Sequence, residues 1–223
     1  AEVFLREGAM VALVDINLEA ARATALALGK NAIALRADVS KLQDAKASVD
    51  ITIAAFGALD IVVNNAGVSH RNKPMLDVTE EEFDRVFAVN VKSIYAYAKA
   101  AIPVFRAAGK GTILNIGSTA GIRPRPGLAW YNATKGAVNL LTRSMAVELA
   151  PEKIRVNCIA PVAGETPLLA TFMGQDTPEK RAAFVSTIPL GRLSTPRDIA
   201  NAALYLCSDE AEFITGVVLE VDG

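Results

Sequence analysis

The segment Tyr131-Asn132-Ala133-Thr134-Lys135, with Ser118 upstream at the end of an apolar run, gathers three groups that can handle a proton. Four residues on a helix are just over one turn, so the phenol and the ammonium share a face. A free phenol ionises near ~10, too high for a base working near neutrality. Lowering that by roughly 3 units takes about 4 kcal/mol, which one cation at ~4 Å supplies at an effective dielectric near 20. A hydroxyl beside the pair holds a carbonyl or alcohol oxygen while the proton moves. Together the three form a proton-transfer site for a secondary alcohol or ketone. Alone, Tyr-x-x-x-Lys also describes a packed tyrosine beside a solvated lysine, so the surrounding chain must decide.

The elements that position these residues alternate between short β-branched runs and longer helical patterns. Strands are expected near Met10–Asp15, Ala32–Arg36, Ile61–Asn64, Thr112–Ile116, Arg155–Ile159 and Val217–Val221. Helices are expected near Leu18–Leu28, Lys41–Phe56, Glu80–Ala107, Trp130–Leu149 and Pro196–Ser208. Such alternation means an α/β fold: a doubly wound, Rossmann-like parallel sheet with helices on both faces and right-handed crossovers. Thr79-Glu-Glu-Glu82 and Thr195-Pro-Arg-Asp198 each offer a capping hydroxyl with a carboxylate three residues on. No linker or repeat divides residues 1–223, which read as one domain. The stretch from Pro161 to Gly191 is rich in glycine and proline, with a short helix expected at Glu179–Ser186. Its apolar Leu168, Leu169, Phe172 and Met173 either cover a bound substrate or form an oligomer contact or satellite core.

Bulk properties narrow the classes. At 223 residues, 52% hydrophobic and 21% charged, the chain can bury a proper core. A formal net charge of -1 without a basic run argues against a nucleic-acid surface. No apolar stretch approaches a bilayer span, and the start resembles no secretory signal. Cys158 and Cys207 read as buried free thiols in a reducing cytoplasm. With one histidine, His70, and no clustered ligands, no metal site is expected.

Several residues point to a dinucleotide. Asp15 closes the run Val11-Ala-Leu-Val14, where a carboxylate accepts from ribose hydroxyls and repels a 2′-phosphate, favouring NAD over NADP. Capping the next helix is the competing role. Asp38-Val39 ends the following strand, with Asp38 either meeting an adenine amino group or capping the helix that begins near Ser40. Asn64-Asn65-Ala66-Gly67 follows another strand, where small residues let backbone approach a ligand and Asn side chains can lock neighbouring strands. Asn90 falls on the apolar face of Phe83, Val86, Phe87 and Ile94. A buried amide without partners costs roughly 1–3 kcal/mol. Asn90 therefore either ties its helix to a strand or bends it and holds a water that feeds protons to Lys135.

In order, Asp15, Asn64-Asn-Ala-Gly67, Asn90, Ser118, Tyr131-x-x-x-Lys135, Pro161 and the closing Thr215-Gly-Val-Val-Leu-Glu-Val-Asp-Gly223 resemble the short-chain dehydrogenase/reductase family. The resemblance spans nearly the whole chain and looks closest to members labelled 3-oxoacyl-carrier-protein reductase-like. It implies that Tyr131 is the general acid/base, that Ser118 orients the substrate oxygen, and that Lys135 lowers the tyrosine pKa and holds the nicotinamide ribose. It gives Asn90 the relay water. Asp15, Asp38, Val39, Asn64, Ala66 and Gly67 would line the adenosine half of the cofactor, and Pro161 and Thr166 its nicotinamide end. It further implies a cytoplasmic homotetramer acting on a small alcohol or ketone with NAD.

Two departures accompany this. The family's first strand and glycine-rich turn, which seats a pyrophosphate at a helix N-terminus, are absent from this sequence. Ala1-Glu-Val-Phe-Leu-Arg-Glu-Gly8 reads as the tail of the helix after that turn, and the abrupt Asp222-Gly223 end suggests a few more residues. The expectation is that the native protein carries further N-terminal residues, and that without the strand between those ending at Asp15 and Asn64 neither NAD binding nor stable folding follows. Val162 replaces the glycine usual after the family's proline, with Gly164 later. Two other functions remain open: an NADPH-dependent 3-oxoacyl-carrier-protein reductase, and a cofactor-binding regulatory or scaffold protein. Arg123 and Arg125 either attract an anionic substrate or belong to a solvated loop. His70 reads as a loop residue near the site's mouth.

Overall fold

The computed structural model describes residues 1–223. Its order is α1 (Glu2–Arg6), β1 (Val11–Asp15), α2 (Leu18–Leu28), β2 (Ala32–Arg36), α3 (Leu42–Phe56), β3 (Ile61–Asn64), α4 (Glu80–Phe87) and α5 (Ser93–Ala108). There follow β4 (Gly111–Ile116), α6 (Ala129–Leu149), β5 (Ile154–Pro161), α7 (Leu168–Met173), α8 (Pro178–Val185), α9 (Pro196–Cys207) and β6 (Val218–Val221). Every strand pairing is parallel, as the alternating pattern requires. One sheet runs β3-β4-β5-β6 and a second pairs β1 with β2. The break falls between β1 and β3, where the sequence suggested a central strand that it does not contain. The two parts meet through α3 packed on α5, with Ser48 Oγ and Tyr97 Oη hydrogen-bonded at 2.9 Å.

Local chemistry sets the element ends. Thr79 and Thr195 both form reciprocal caps: each hydroxyl accepts the N–H three residues on, and Glu82 and Asp198 return bonds to the cap N–H. Gly57 and Gly109 close α3 and α5 in the left-handed region. The expected continuous helix over Glu80–Ala107 is interrupted. Residues Ala88–Lys92 form a π turn centred on Asn90, and the last regular helix then runs to Ala108. In the excursion after β5, Leu168–Met173 is helical, an element its short apolar run did not announce. Leu169 and Met173 pack there with Ile188 and Leu193 as a satellite core.

The main core lies between the four-stranded sheet and α5 and α6. Phe105 is fully buried among Val62, Ala101, Ile113, Ala146, Ile154 and Val156. Its ring covers Gly111, where a Cβ would lie 2.2 Å from Phe105 Cγ, so β4 must start on a glycine. Because the strands are parallel, Asn64, Ile116 and Pro161 all end on one edge, and this edge carries the proposed chemistry. Truncating the ring, Phe105→Ala, is expected to cost about 3–5 kcal/mol through the cavity it leaves. A urea titration would read this as a lowered midpoint with little change in slope.

Candidate active site

β4 delivers Ser118 to the sheet edge through Gly117. A Cβ at Gly117 would lie 2.4 Å from Asn139 Oδ1 and 2.7 Å from Cys158 Sγ, so the backbone threads a gap that only glycine fits. Ser118 is extended and caps the short turn Thr119–Gly121, its hydroxyl accepting the Ala120 N–H at 3.1 Å. That turn lies directly on α6: a Cβ at Gly121 would come within 2.5 Å of the Lys135 carbonyl carbon. Tyr131, Thr134, Lys135, Val138 and Asn139 are the buried face of α6 here. The sequence-predicted trio is therefore brought together by β4 and one helix face.

Lys135 is the unusual member. Its side chain is buried, and Nζ donates to the Ile116 carbonyl at 2.8 Å while lying 5.8 Å from the Tyr131 ring centroid. Around Gly67, a Cβ would sit 3.6 Å from both Lys135 Nζ and Asn90 Oδ1, so ammonium, amide and glycine backbone converge. Asn90 clamps Val68 from both sides, accepting its N–H and donating to its carbonyl, each at 2.9 Å. Its Nδ2 also donates to Thr134 Oγ1 at 3.0 Å, and Thr134 donates to the Tyr131 carbonyl at 2.7 Å. Asn90 thus ties the helix to the segment after β3. Thr134 is a link that sequence reasoning passed over, although it stands inside the Tyr-x-x-x-Lys motif.

The electrostatics correct the sequence-based expectation for the pair. Burial pushes the Tyr131 phenol up to about 12, with the neighbouring Ser118 hydroxyl opposing in part. Burial likewise pushes Lys135 down to about 8. The simple cation-beside-phenol argument left out desolvation, which here is the largest influence on the phenol. At neutral pH the pair in the nucleotide-free protein is thus a neutral phenol and a protonated amine.

The remaining predicted residues lie as follows. Asp15 is exposed at the end of β1, one oxygen accepting the Asn17 N–H at 2.8 Å. Asp38 Oδ1 accepts from Ser40 N–H at 3.0 Å and from Ser40 Oγ at 2.7 Å, which favours its turn-forming role, and its carboxyl is held below the usual range by that hydroxyl. Val39 is in the same turn. Asn64 Nδ2 donates to Asn115 Oδ1 at 2.8 Å, locking β3 to β4 in register, and Asn115 donates on to Thr142 Oγ1 at 2.9 Å. Ala66 is exposed beside Gly67. Pro161 ends β5 and its carbonyl accepts from Thr119 Oγ1 at 3.3 Å. Thr166 is exposed at the start of the excursion, two residues past a bridge joining Gly164 to Ser194. His70 is on a loop but buried, with Nδ1 2.9 Å from the Arg71 carbonyl, so it is no rim residue. Arg123 is paired with Glu220 at 2.6 Å and Asp222 at 2.5 Å instead of lying free in solvent.

These groups suit a nicotinamide dinucleotide. An ammonium has three donors; Ile116 takes one of Lys135's, which leaves donors for ribose hydroxyls in front of Gly67. Asp15 offers an exposed carboxylate for a second diol. Beyond the trio, two open cavities of about 610 Å³ each flank Arg125-Pro-Gly127. Neither is lined by Ser118, Tyr131 or Lys135, but Phe172, which lines the second, packs at a tilt against the Tyr131 ring with centroids 5.0 Å apart.

Burying Lys135 charged carries a measurable penalty. Its folded pKa of about 8 lies below the ordinary 10.5, so the penalty is fully present below pH 8 and disappears as pH rises past 10.5. Lys135→Met is therefore expected to raise the stability of nucleotide-free protein at pH 7 by up to about 3 kcal/mol, less the lost hydrogen bond. Urea melts across pH 7 to 10.5 should show that gain shrinking towards zero.

Comparison with known proteins agrees with this geometry. A family model described as enoyl-(acyl carrier protein) reductase matches residues 1–223. The chain is 50% identical over 220 residues to 4-formylbenzenesulfonate dehydrogenase of Comamonas testosteroni, covering 97% of this chain and 87% of that one. It is 40% identical to cyclopentanol dehydrogenase of Comamonas sp. (strain NCIMB 9872), covering 98% of this chain and 87% of the relative. The crystal structure of 3-ketoacyl-(acyl-carrier-protein) reductase from Brucella melitensis complexed with NADH superposes with a TM-score of 0.95 at 47% identity, covering 100% of this chain and 90% of that one. With residues 1–223 matched by the family model, and with relatives at 50% and 40% identity over nearly the whole chain, the chain belongs to the short-chain dehydrogenase/reductase family.

Proposed function

We propose that this oxidoreductase moves a hydride between NAD(H) and a secondary alcohol or its ketone, with Tyr131 as general acid/base. The observation that carries the reading is the convergence of Ser118, Tyr131 and Lys135 on one edge of the sheet, beside Gly67 and Asn90. NAD(H), when bound, would supply the hydride donor or acceptor. The chain's own work is to place and protonate. Ser118 Oγ holds the reacting oxygen, and Tyr131 gives its proton to a forming alkoxide or takes one from an alcohol. Lys135 holds ribose hydroxyls with its spare donors, and Asn90 and Thr134 fix the turn that carries both. Ala66, Gly67, Asn64, Asp38 and Val39 would flank the adenosine half, and Pro161 and Thr166 the nicotinamide.

Two features favour alcohol oxidation with NAD over the NADPH-dependent acyl-carrier reductase. Asp15 stands where a 2′-phosphate would meet a second negative charge. Relatives at 40% and 35% identity are named as dehydrogenases of the secondary alcohols cyclopentanol and cyclohexanol. A scaffold role gives no reason to bury a charged lysine beside a phenol. We further propose a cytoplasmic homotetramer. Two buried free thiols suit a reducing compartment, exposed Tyr95, Leu140 and Val147 on α5 and α6 offer apolar contact, and no helix is long and apolar enough to cross a membrane.

Tyr131→Phe is expected to lower kcat by about 10²–10⁴-fold while NADH binding, followed by fluorescence, persists. Undiminished turnover in a screen of alcohols would overturn the acid/base role. Asp15→Ala should weaken NAD and narrow the preference over NADP by about tenfold, one close charge pair's worth at a partly exposed site. Equal use of both cofactors by the unaltered enzyme would contradict the assignment.

A further inference from the structure

The second cavity has a charge pattern that the proton-transfer site does not use. Three cations line it, Lys73, Arg125 and Lys180, and no carboxylate does. Two of them are already engaged: Lys73 Nζ is paired with Glu82 at 2.6 Å, and Lys180 Nζ donates to the Met173 carbonyl at 2.9 Å. Arg125 is different. Its guanidinium carbon lies over the Phe184 ring, 4.5 Å from the centroid, and no acidic partner neutralises it. Its backbone is fixed, because the Arg125 carbonyl accepts from Asn132 Nδ2 at 2.8 Å. Burial first, and then the charge of nearby Arg123, pull its pKa below the ordinary guanidinium value, so an anion brought to it would relieve a real strain. The neighbouring Arg123 does not share this vacancy of charge, since Glu220 and Asp222 hold it.

The cavity also adjoins the chemistry. Phe172 is on its wall, and its ring centroid lies 5.0 Å from that of Tyr131 with the rings tilted by 47°, so one side chain borders both the phenol and the cavity that Arg125 and Phe184 line. Guanidinium groups hold carboxylate and sulfonate through two parallel N–H···O bonds, and at Arg125 only the backbone carbonyl is engaged in a hydrogen bond, which leaves the fork of donors unclaimed. We propose that Arg125 is a specificity-determining residue that binds a ring-borne oxyanion, carboxylate or sulfonate, at the end of an aromatic substrate remote from the carbinol. The proposal rests on the alcohol-dehydrogenase reading and names the substrate class of that same site.

The test compares 1-phenylethanol with its para-carboxylate and para-sulfonate derivatives, following NADH formation with the enzyme and with Arg125→Met and Arg125→Lys. Hydrogen bonds to charged groups are worth enough for at least about a tenfold gain. The expected result is therefore that the anionic alcohols exceed the neutral one in kcat/KM by about tenfold or more, mainly through KM. Arg125→Met should erase most of that ratio, and Arg125→Lys should restore only part of it because a point charge lacks the planar fork. Carboxylate and sulfonate reacting alike supports a general oxyanion site, and a preference for either one still supports it while choosing the group. Equal kcat/KM for neutral and charged alcohols, or an Arg125→Met variant that lowers both by the same factor, overturns the inference and leaves the dehydrogenase reading standing. No turnover of any of the three, or of a panel of aliphatic alcohols, overturns that reading and this one with it.

Discussion

The burial of one ammonium governs this site. Lys135 sits at 5% exposure with a backbone carbonyl as its partner and no carboxylate to neutralise it. A lone buried charge of this kind is expensive, and proteins usually pair it or expel it. The surrounding structure is arranged so that it can do neither. Ile116 ends β4 with its carbonyl aimed at the amine, Gly121 lets the capped turn rest on the lysine's own backbone, and Gly67 leaves space in front. What remains is a buried charged donor beside Gly67 with one of its three protons placed.

A second constraint keeps the phenol in place. Asn90 is held in a π turn and grips both polar groups of Val68, then hands a bond to Thr134, which closes on Tyr131. The chain of contacts joins the segment after β3 to the helix carrying the acid. Further in, Asn64, Asn115 and Thr142 repeat the device one layer deeper, tying β3 to β4 and β4 to α6. Fully partnered polar networks of this kind fix geometry, because any shift leaves a buried group unsatisfied.

Much of this was legible from residue types and order. Alternation gave the parallel α/β layers, the Thr-x-x-acid patterns gave two helix starts, and the spacing of Tyr131 and Lys135 gave two residues of one buried helix face. The exceptions have physical causes. The π turn at Ala88–Lys92 has no periodicity of its own, since one extra residue barely disturbs the apolar face on which Asn90 falls. The α7 helix is six residues long, too short for periodicity to separate it from an apolar loop. Asp38 looked equally fit for ligand or turn, and only the position of Ser40 Oγ favours the turn. The direction of the Tyr131 shift needed burial, which spacing does not reveal. Arg123 and Arg125 are two residues apart and read alike, yet one is claimed by the end of β6 and the other is not.

The packing of Gly121 against α6 has a consequence for how this scaffold can change. Bare main chain meets bare main chain there, so no side chain can yield to absorb an altered neighbour. Adding even a methyl group would lever the helix and carry the amine with it. Change is thereby channelled past that point, into the Arg123–Gly127 loop and the α7–α8 segment, where substitutions alter the walls of the two cavities and leave the α6 contact alone. Libraries aimed at new substrates should be drawn from those two segments, with glycine at 121 held constant.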